Sequence, residues 1–257
     1  MSDEGVPMGT NASEAAEGEG SRSRTLGRGI AVLHALAASP DGVTVAGLST
    51  ATGLDRAVLY RLLGTLGDEG LVVRDNGSRR YRLGVGLIEL GARAARGLEV
   101  RRHALPGMRQ LLEQVREAVC LAVRDRGDIV VVDRLEPPGR GTRIGYPVGL
   151  RHPLSVNAHG RAVLSRLDAA EGEALANHAG ADPLTDRARG FAIATDESGG
   201  EIVSVAAPIL DAVGDGIASV GIVAPASRVQ DPALLGPPVR ALGREVSRRL
   251  GYREEAT

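Results

Sequence analysis

At 257 residues, with 43% hydrophobic and 25% charged residues, the chain is long enough for two domains with separate cores, and its make-up argues against wholesale disorder and a membrane class. A single cysteine, Cys120, excludes an internal disulfide framework and a thiolate-rich zinc site. No apolar run reaches the roughly 18 residues of a spanning helix, and the start lacks the basic-then-apolar order of a signal peptide, so a cytoplasmic location is expected. The net charge of -1 conceals an asymmetry: residues 1–21 carry five acids and no bases, residues 22–82 nine Arg against five acids, and residues 83–257 balance at 22 of each. Every base is Arg, which reads as the coding bias of a GC-rich genome rather than a functional signal.

Residues 1–23, rich in Gly, Ser, Glu and Ala, hold too little apolar surface to offset the entropy of ordering and are expected to form a disordered tail. From Thr25, the residues Leu26, Ile30, Val32, Leu33 and Leu36 recur at helical spacing up to the turn cluster Ser39–Gly42. Thr44 is placed to cap a short helix ended by Gly53, and Asp55 to cap a third. In that third helix Val58, Leu59, Leu62, Leu63 and Leu66 fall within an arc of roughly 140°, leaving Arg56, Ala57, Tyr60, Arg61 and Gly64 outside it. Gly70 closes the helix, and LVVRDNGSRRYRL reads as a hairpin turning at Asp75-Asn76-Gly77. Three short helices followed by a ribbon make a winged helix.

Residues 84–100 return to helical spacing through Leu87, Leu90, Ala94 and Leu98, as a connector helix would. Beyond it a helix ends near Glu117, and VCLAVRDRGDIVVVDRL, EIVSVAAPIL and IASVGIVA have strand length, with hairpin loops at RDRGD and DAVGDG. Helices are expected over Ser155–Leu167 and near the C-terminus. The fold class is therefore α+β, an antiparallel sheet flanked by helices after the winged module. Cys120 reads as a buried strand residue rather than a sensor thiol.

A helix packed on one face and presenting Arg56, Tyr60 and Arg61 on the other has the form of a recognition helix, since Arg pairs bidentately with guanine and Tyr reaches phosphate or stacks on bases. The ribbon Arg79-Arg80-Tyr81-Arg82 is expected to lie along the backbone or minor groove, where Arg suits phosphates and narrow, negative channels. The expected partner is double-stranded DNA. No GxSxG elbow, HExxH, P-loop or dinucleotide turn occurs, and the five His lack ligand spacing. An enzyme is not expected, and neither a catalytic residue, a metal nor a cofactor is assigned.

RGIAVLHALA, GLDRAVLYRLLGTLGDEGLVVRD, YRLGVGLIELG, AVCLAVRDRGDIVVVDRLE, NAHGRAVLSRL, RGFAI and EIVSVAAPILD, in that order, resemble transcriptional regulators of the IclR family from about residue 25 to 250. The resemblance implies a winged helix over 24–83, a linker helix over 84–100, a GAF-like α/β effector-binding domain over 101–252, and a short tail over 253–257. It also implies a dimer or tetramer on a palindromic operator, with a small organic effector. The DNA-binding set it implies is Thr44, Arg56, Ala57, Tyr60, Arg61, Arg79 and Arg80. The family's recognition helix usually reads PKSTxHRLL and here reads DRAVLYRLL, so Ala57, Val58 and Tyr60 depart from it.

The effector motif usually reads PLHAxxxGKA and here reads PLSVNAHGRA, with Ser155 for His and Arg161 for Lys. Aligned on it, the implied effector pocket is walled by Ala158, His159, Ala194, Ser204, Gly221 and Val223. Small or apolar groups at 194, 221 and 223 suggest a roomier, less polar cavity, suited to an aromatic or acyl carboxylate. The segment before Arg189 is shorter than in relatives, and one covering element is expected to be missing. The alternative is a DNA-binding scaffold whose second domain serves only oligomerisation.

Overall fold

The computed structural model describes residues 23–139, 145–175, 182–195 and 201–253. The tails expected over 1–23 and 253–257 lie, apart from Ser23 and Arg253, outside these. The chain divides into two compact units, one ending at Arg93 and the other beginning at Ala94. No helix among the described residues is long and apolar enough to cross a membrane.

The first unit opens with α1 (Arg24–Ala37), α2 (Val45–Thr52) and α3 (Arg56–Asp68), followed by the ribbon strands β1 (Val72–Arg74) and β2 (Tyr81–Leu83). Thr44 Oγ1 accepts the Gly47 N–H at 3.2 Å and so caps α2. Asp55 holds the capping position of α3, yet its side chain makes no capping bond. Gly53 and Gly70 take the left-handed conformation (φ 69° and 68°) where α2 and α3 end, as helix-terminating glycines do. Val32, Leu36, Leu48, Leu59 and Leu63 form the core, joined by Val72 and Tyr81 from the ribbon. Tyr81 is thus a core residue between two exposed arginines.

The ribbon turn is wider than its Asn-Gly suggests. Asp75 N–H donates to the Arg80 carbonyl at 2.8 Å, and the left-handed residue is Arg79 (φ 55°), not Gly77. The Asp75 carboxylate accepts the Ser78 N–H at 2.7 Å and the Ser78 hydroxyl at 2.9 Å, which hold its carboxyl below the usual range. A bridge that local periodicity does not foresee fastens the ribbon to the α1–α2 turn: Val43 and Tyr81 exchange backbone bonds of 2.9 and 2.8 Å.

The expected connector is α4 (Val85–Gly97), which spans the division between the units, and α5 (Glu99–Val115) already begins before residue 100. Then come β3 (Ala118–Asp125), β4 (Asp128–Leu135), β5 (Arg151–Pro153), α6 (Ala158–Leu164), α7 (Ala169–Leu175), α8 (Pro183–Arg189), β6 (Ala192–Thr195), β7 (Ile202–Leu210), β8 (Gly216–Pro225) and α9 (Gly236–Arg249). The six strands pair antiparallel in the order β5-β4-β3-β8-β7-β6. Both hairpin loops read from the sequence are present: Arg126 turns at φ 59°, and Asp211 accepts the amides of Val213, Gly214 and Asp215, each at 3.0 Å. The segment before Arg189, from which one covering element is expected to be missing, carries the seven-residue helix α8.

Strand alternation sorts this sheet. Val119, Leu121, Ala207, Ile209, Ala218, Val220 and Ile222 face one side, where Val100, Ala104, Met108 and Leu111 of α5 and Val239, Leu242 and Val246 of α9 cover them. Cys120, Ala122 and Val223 face the other, against Tyr146, Leu154 and α6. Covered on both faces, β7 and β8 read as near-continuous apolar runs.

Where α4 begins, Gly84 N–H donates to the Leu71 carbonyl at 2.7 Å and Gly86 N–H to the Gly70 carbonyl at 3.1 Å. A Cβ on Gly84 would stand 2.2 Å from the Gly70 oxygen, so only glycine permits this approach. Gly84→Ala is expected to lower the stability of the first unit by about 1–3 kcal/mol, read as a lower urea midpoint.

Candidate functional site

Two regions gather the residues singled out by sequence. In the first unit, the start of α2, the start of α3 and the ribbon enclose a groove of about 380 Å³ lined by Thr44, Arg56, Tyr60, Arg74, Ser78 and Arg79, among others. Its geometry follows from local structure: Thr44 caps α2, Arg56 opens α3, and Tyr60 stands one turn on with 58% of its surface exposed. Ala57 and Arg61 are exposed on α3 outside this groove. Among the described residues Arg56, Arg61 and Arg79 form no ion pair with a carboxylate, so their charge is open to an external anion.

Arg80 differs from expectation. Its Nη1 donates to the Gly42 carbonyl at 2.7 Å, so its guanidinium braces the α1–α2 turn. Arg74, which the sequence reading had not singled out, lines the groove instead, its guanidinium 5.8 Å from the Tyr81 ring centre. The signal was strand alternation: Arg74 pairs with inward-facing Tyr81 at the turn end of the ribbon.

In the second unit the six expected effector residues come together on the α6 face of the sheet. Ala158, Ala194 and Ala206 pack in one cluster with Ala162 and Ala192. Ser204 Oγ lies 3.3 Å from the Ala158 amide and 3.4 Å from the Ala194 carbonyl. In register, Ser204 pairs with both Ala194 and Val223, and Gly221 with Cys120 and Ala206. A Cβ on Gly221 would fall 2.5 Å from the Val205 oxygen, which fixes glycine there.

Tyr146, which periodicity does not pick out, is 4% exposed and lies over this face, its hydroxyl 3.4 Å from Ser204 Oγ and its ring 6.1 Å, edge-on, from the His159 ring. The preceding Gly145 (φ 120°) sits so close to Val223 that a Cβ would meet its Cγ1 at 2.8 Å. An open groove of about 480 Å³, lined by Arg134, Glu136, Gly145, Pro147 and Val148, flanks the segment. Cys120, fully buried beneath, has its thiol pushed up to about 12 by burial, the reverse of a reactive cysteine.

Arg161 replaces the lysine of the usual motif with a role that lysine's geometry does not match. Its Nε and Nη2 hold both oxygens of buried Asp186 at 3.0 and 3.2 Å, and its Nη1 donates to the Ile193 carbonyl at 3.0 Å, joining α6 to α8 and β6. Burial raises the Asp186 carboxyl, and the Arg161 charge opposes that rise.

His159 is fully buried, its Nδ1 hydrogen-bonded to Ser219 Oγ at 2.9 Å and its Nε2 without a partner among the described residues. Burial lowers its pKa from 6.5 to about 4, so the folded chain keeps the ring neutral where the unfolded chain protonates it. Its contribution is complete above pH 6.5 and is lost as pH falls toward 4. Between pH 7 and 5 the loss amounts to about 2 kcal/mol. Urea unfolding at the two pH values is expected to show that decline in the parent chain and its absence in His159→Asn.

Comparison with known proteins places both regions in one frame. The IclR helix-turn-helix domain matches residues 25–76, and the bacterial transcriptional regulator IclR C-terminal domain matches residues 92–248. The glycerol operon regulatory protein of Streptomyces coelicolor is 31% identical over 249 residues, covering 89% of this chain and 96% of that one. The crystal structure of an IclR transcriptional regulator from Alicyclobacillus acidocaldarius superposes with a TM-score of 0.77 at 26% identity, covering 90% of this chain and 100% of that one. An IclR homologue from Microbacterium hydrocarbonoxydans, solved with 4-hydroxybenzoate, shares the fold with a TM-score of 0.71 at 22% identity, over 88% of this chain and 98% of that one. The chain belongs to the IclR family of DNA-binding transcriptional regulators, which are not enzymes.

Proposed function

We propose that this regulator is a cytoplasmic homodimer, or a dimer of dimers, that reads a palindromic operator and changes its DNA affinity when a small organic carboxylate, aromatic or acyl, occupies the α6 face. The observation that carries the DNA reading is the groove of the first unit, where Arg56, Tyr60, Arg74 and Arg79 converge with no carboxylate lining it. Arg56, Ala57, Tyr60 and Arg61 meet base edges, while Thr44 and Arg79 hold phosphates on either side. Arg80 contributes by holding the ribbon in place. A second copy covers the side of α4 where Val85 and Ile88 are 80% and 72% exposed. Two-fold symmetry then sets the half-site spacing.

The effector is recognised by groups that remain neutral: the Ser204 and Tyr146 hydroxyls and the His159 ring. It acts by favouring one of two arrangements of the regulator, with coupling on the order of 1–3 kcal/mol. The close packing of Tyr146 over Ser204 favours a second reading in one respect, a domain that serves oligomerisation alone.

Fluorescence anisotropy with DNA from upstream of the regulator's own gene tests the first part. Arg79→Ala is expected to weaken binding uniformly across sequences and reduce the slope of log K against log salt by about 1, while Arg56→Ala costs about 1–3 kcal/mol on the operator alone. Absence of salt-sensitive binding would overturn the DNA reading. For the second part, 4-hydroxybenzoate and other aromatic and aliphatic acids are screened by thermal shift. A true effector at about 100 times its Kd is expected to stabilise the chain by about 2.7 kcal/mol. A screen in which no acid raises the midpoint favours the oligomerisation reading.

A further inference from the structure

On the side of the second unit where α8 meets α9, a cleft is lined by thirteen residues of which six are Arg and none is acidic: Arg166, Arg187, Arg189, Arg240, Arg244 and Arg248. Composition does not account for this, because residues 83–257 carry equal numbers of acids and bases. Arg240, Arg244 and Arg248 recur every fourth residue along α9, an arrangement that like-charge repulsion disfavours in an isolated helix.

Backbone carbonyls orient part of the cluster: Arg240 Nη1 donates to the Arg189 carbonyl at 3.1 Å, and Arg166 Nη2 to the Arg187 carbonyl at 3.5 Å. Two acids nearby are engaged elsewhere. Asp186, which faces Arg189, has both oxygens held by Arg161, and Glu245 of α9 pairs with Arg249 at 2.5 Å. Among the described residues Arg187, Arg189, Arg240 and Arg248 make no ion pair with a carboxylate.

We infer that this cleft binds a small molecule through a phosphate or diphosphate group. Guanidinium forks match phosphate oxygens two at a time, and several of them around one concavity select a multiply charged anion over a single carboxylate. The partly open cavity of about 100 Å³ leaves room for the phosphate moiety, with the rest of the molecule outside. Ala207 lines the cleft and packs on the α5 and α9 face of the sheet, opposite to Ser204 and Ala206, so this site is separate from the proposed effector face. It gives the regulator a second input of different chemistry.

Isothermal titration of the full-length protein with inorganic pyrophosphate at constant ionic strength tests the assignment. The comparison proteins are Arg187→Ala/Arg248→Ala, in which both altered side chains are exposed, and Arg109→Ala, an exposed arginine of α5 outside the cleft. Saturable binding is expected in the parent and in Arg109→Ala, with Kd weakened at least tenfold in the double variant and duplex binding unchanged in all three. The assignment is overturned if the parent gives no saturable binding, or if all three respond alike as to a general ionic effect. It is equally overturned if the double variant loses salt-sensitive duplex binding while pyrophosphate has no effect, since the cleft would then contact a nucleic-acid backbone.

Discussion

The two-residue alternation along β3, β7 and β8 is the constraint from which the second unit is built. It sends Leu121, Ile209, Val220 and Ile222 toward α5 and α9, and leaves Ala206, Ser204, Ser219 and Gly221 for α6. Because the second set is small, α6 lies close to the sheet: a Cβ on Gly216 of β8 would stand 2.8 Å from the Val163 oxygen of α6. A one-residue slip of β8 would exchange the two sets and push Val220 and Ile222 into α6. The fold and the gathering of the expected effector residues are thus one consequence of register.

That close-packed face is also where the chain places polar atoms away from water. Ser204 Oγ contacts Ala158, Ala194 and Tyr146, and His159 reaches Ser219. Buried charge would be far costlier than these neutral groups, and the depressed His159 and raised Cys120 keep both side chains uncharged near neutrality. Arginine charge is distributed differently. It is paired where it joins elements, as in Arg161 with Asp186 or Arg228 with Glu117, while among the described residues Arg56, Arg61 and Arg79 of the first unit and Arg187, Arg189, Arg240 and Arg248 of the cleft make no ion pair with a carboxylate.

Much of this was legible in the sequence. Helical period located the inner face of α3, and Thr44, Gly53 and Gly70 marked helix ends through the local chemistry of caps. Hairpin loops at Arg126 and Asp211 were equally local. What escaped were contacts between distant segments. Arg80 reads as one more exposed base until the Val43 bridge brings it to Gly42, 38 residues away in sequence. Tyr146 stands alone between Gly145 and Pro147, in no periodic run, and only the closed sheet gives it Ser204 and His159 as neighbours. The short helix α8 was missed because motif spacing reports length, whereas Asp182, which accepts the Thr185 amide at 3.1 Å, starts a helix that needs only seven residues.

The brace between ribbon and turn bears on how the first unit meets its partner. Thr44 on one wall of the groove follows Val43, and Arg79 on the other precedes Arg80, so both walls hang from the same few bonds among Gly42, Val43, Arg80 and Tyr81. Its width is therefore preset, and association forfeits little conformational freedom there. On the proposed DNA reading, discrimination at that locus falls to the fit between a fixed aperture and the helical parameters of the duplex, with sequences that deform readily to match it being favoured.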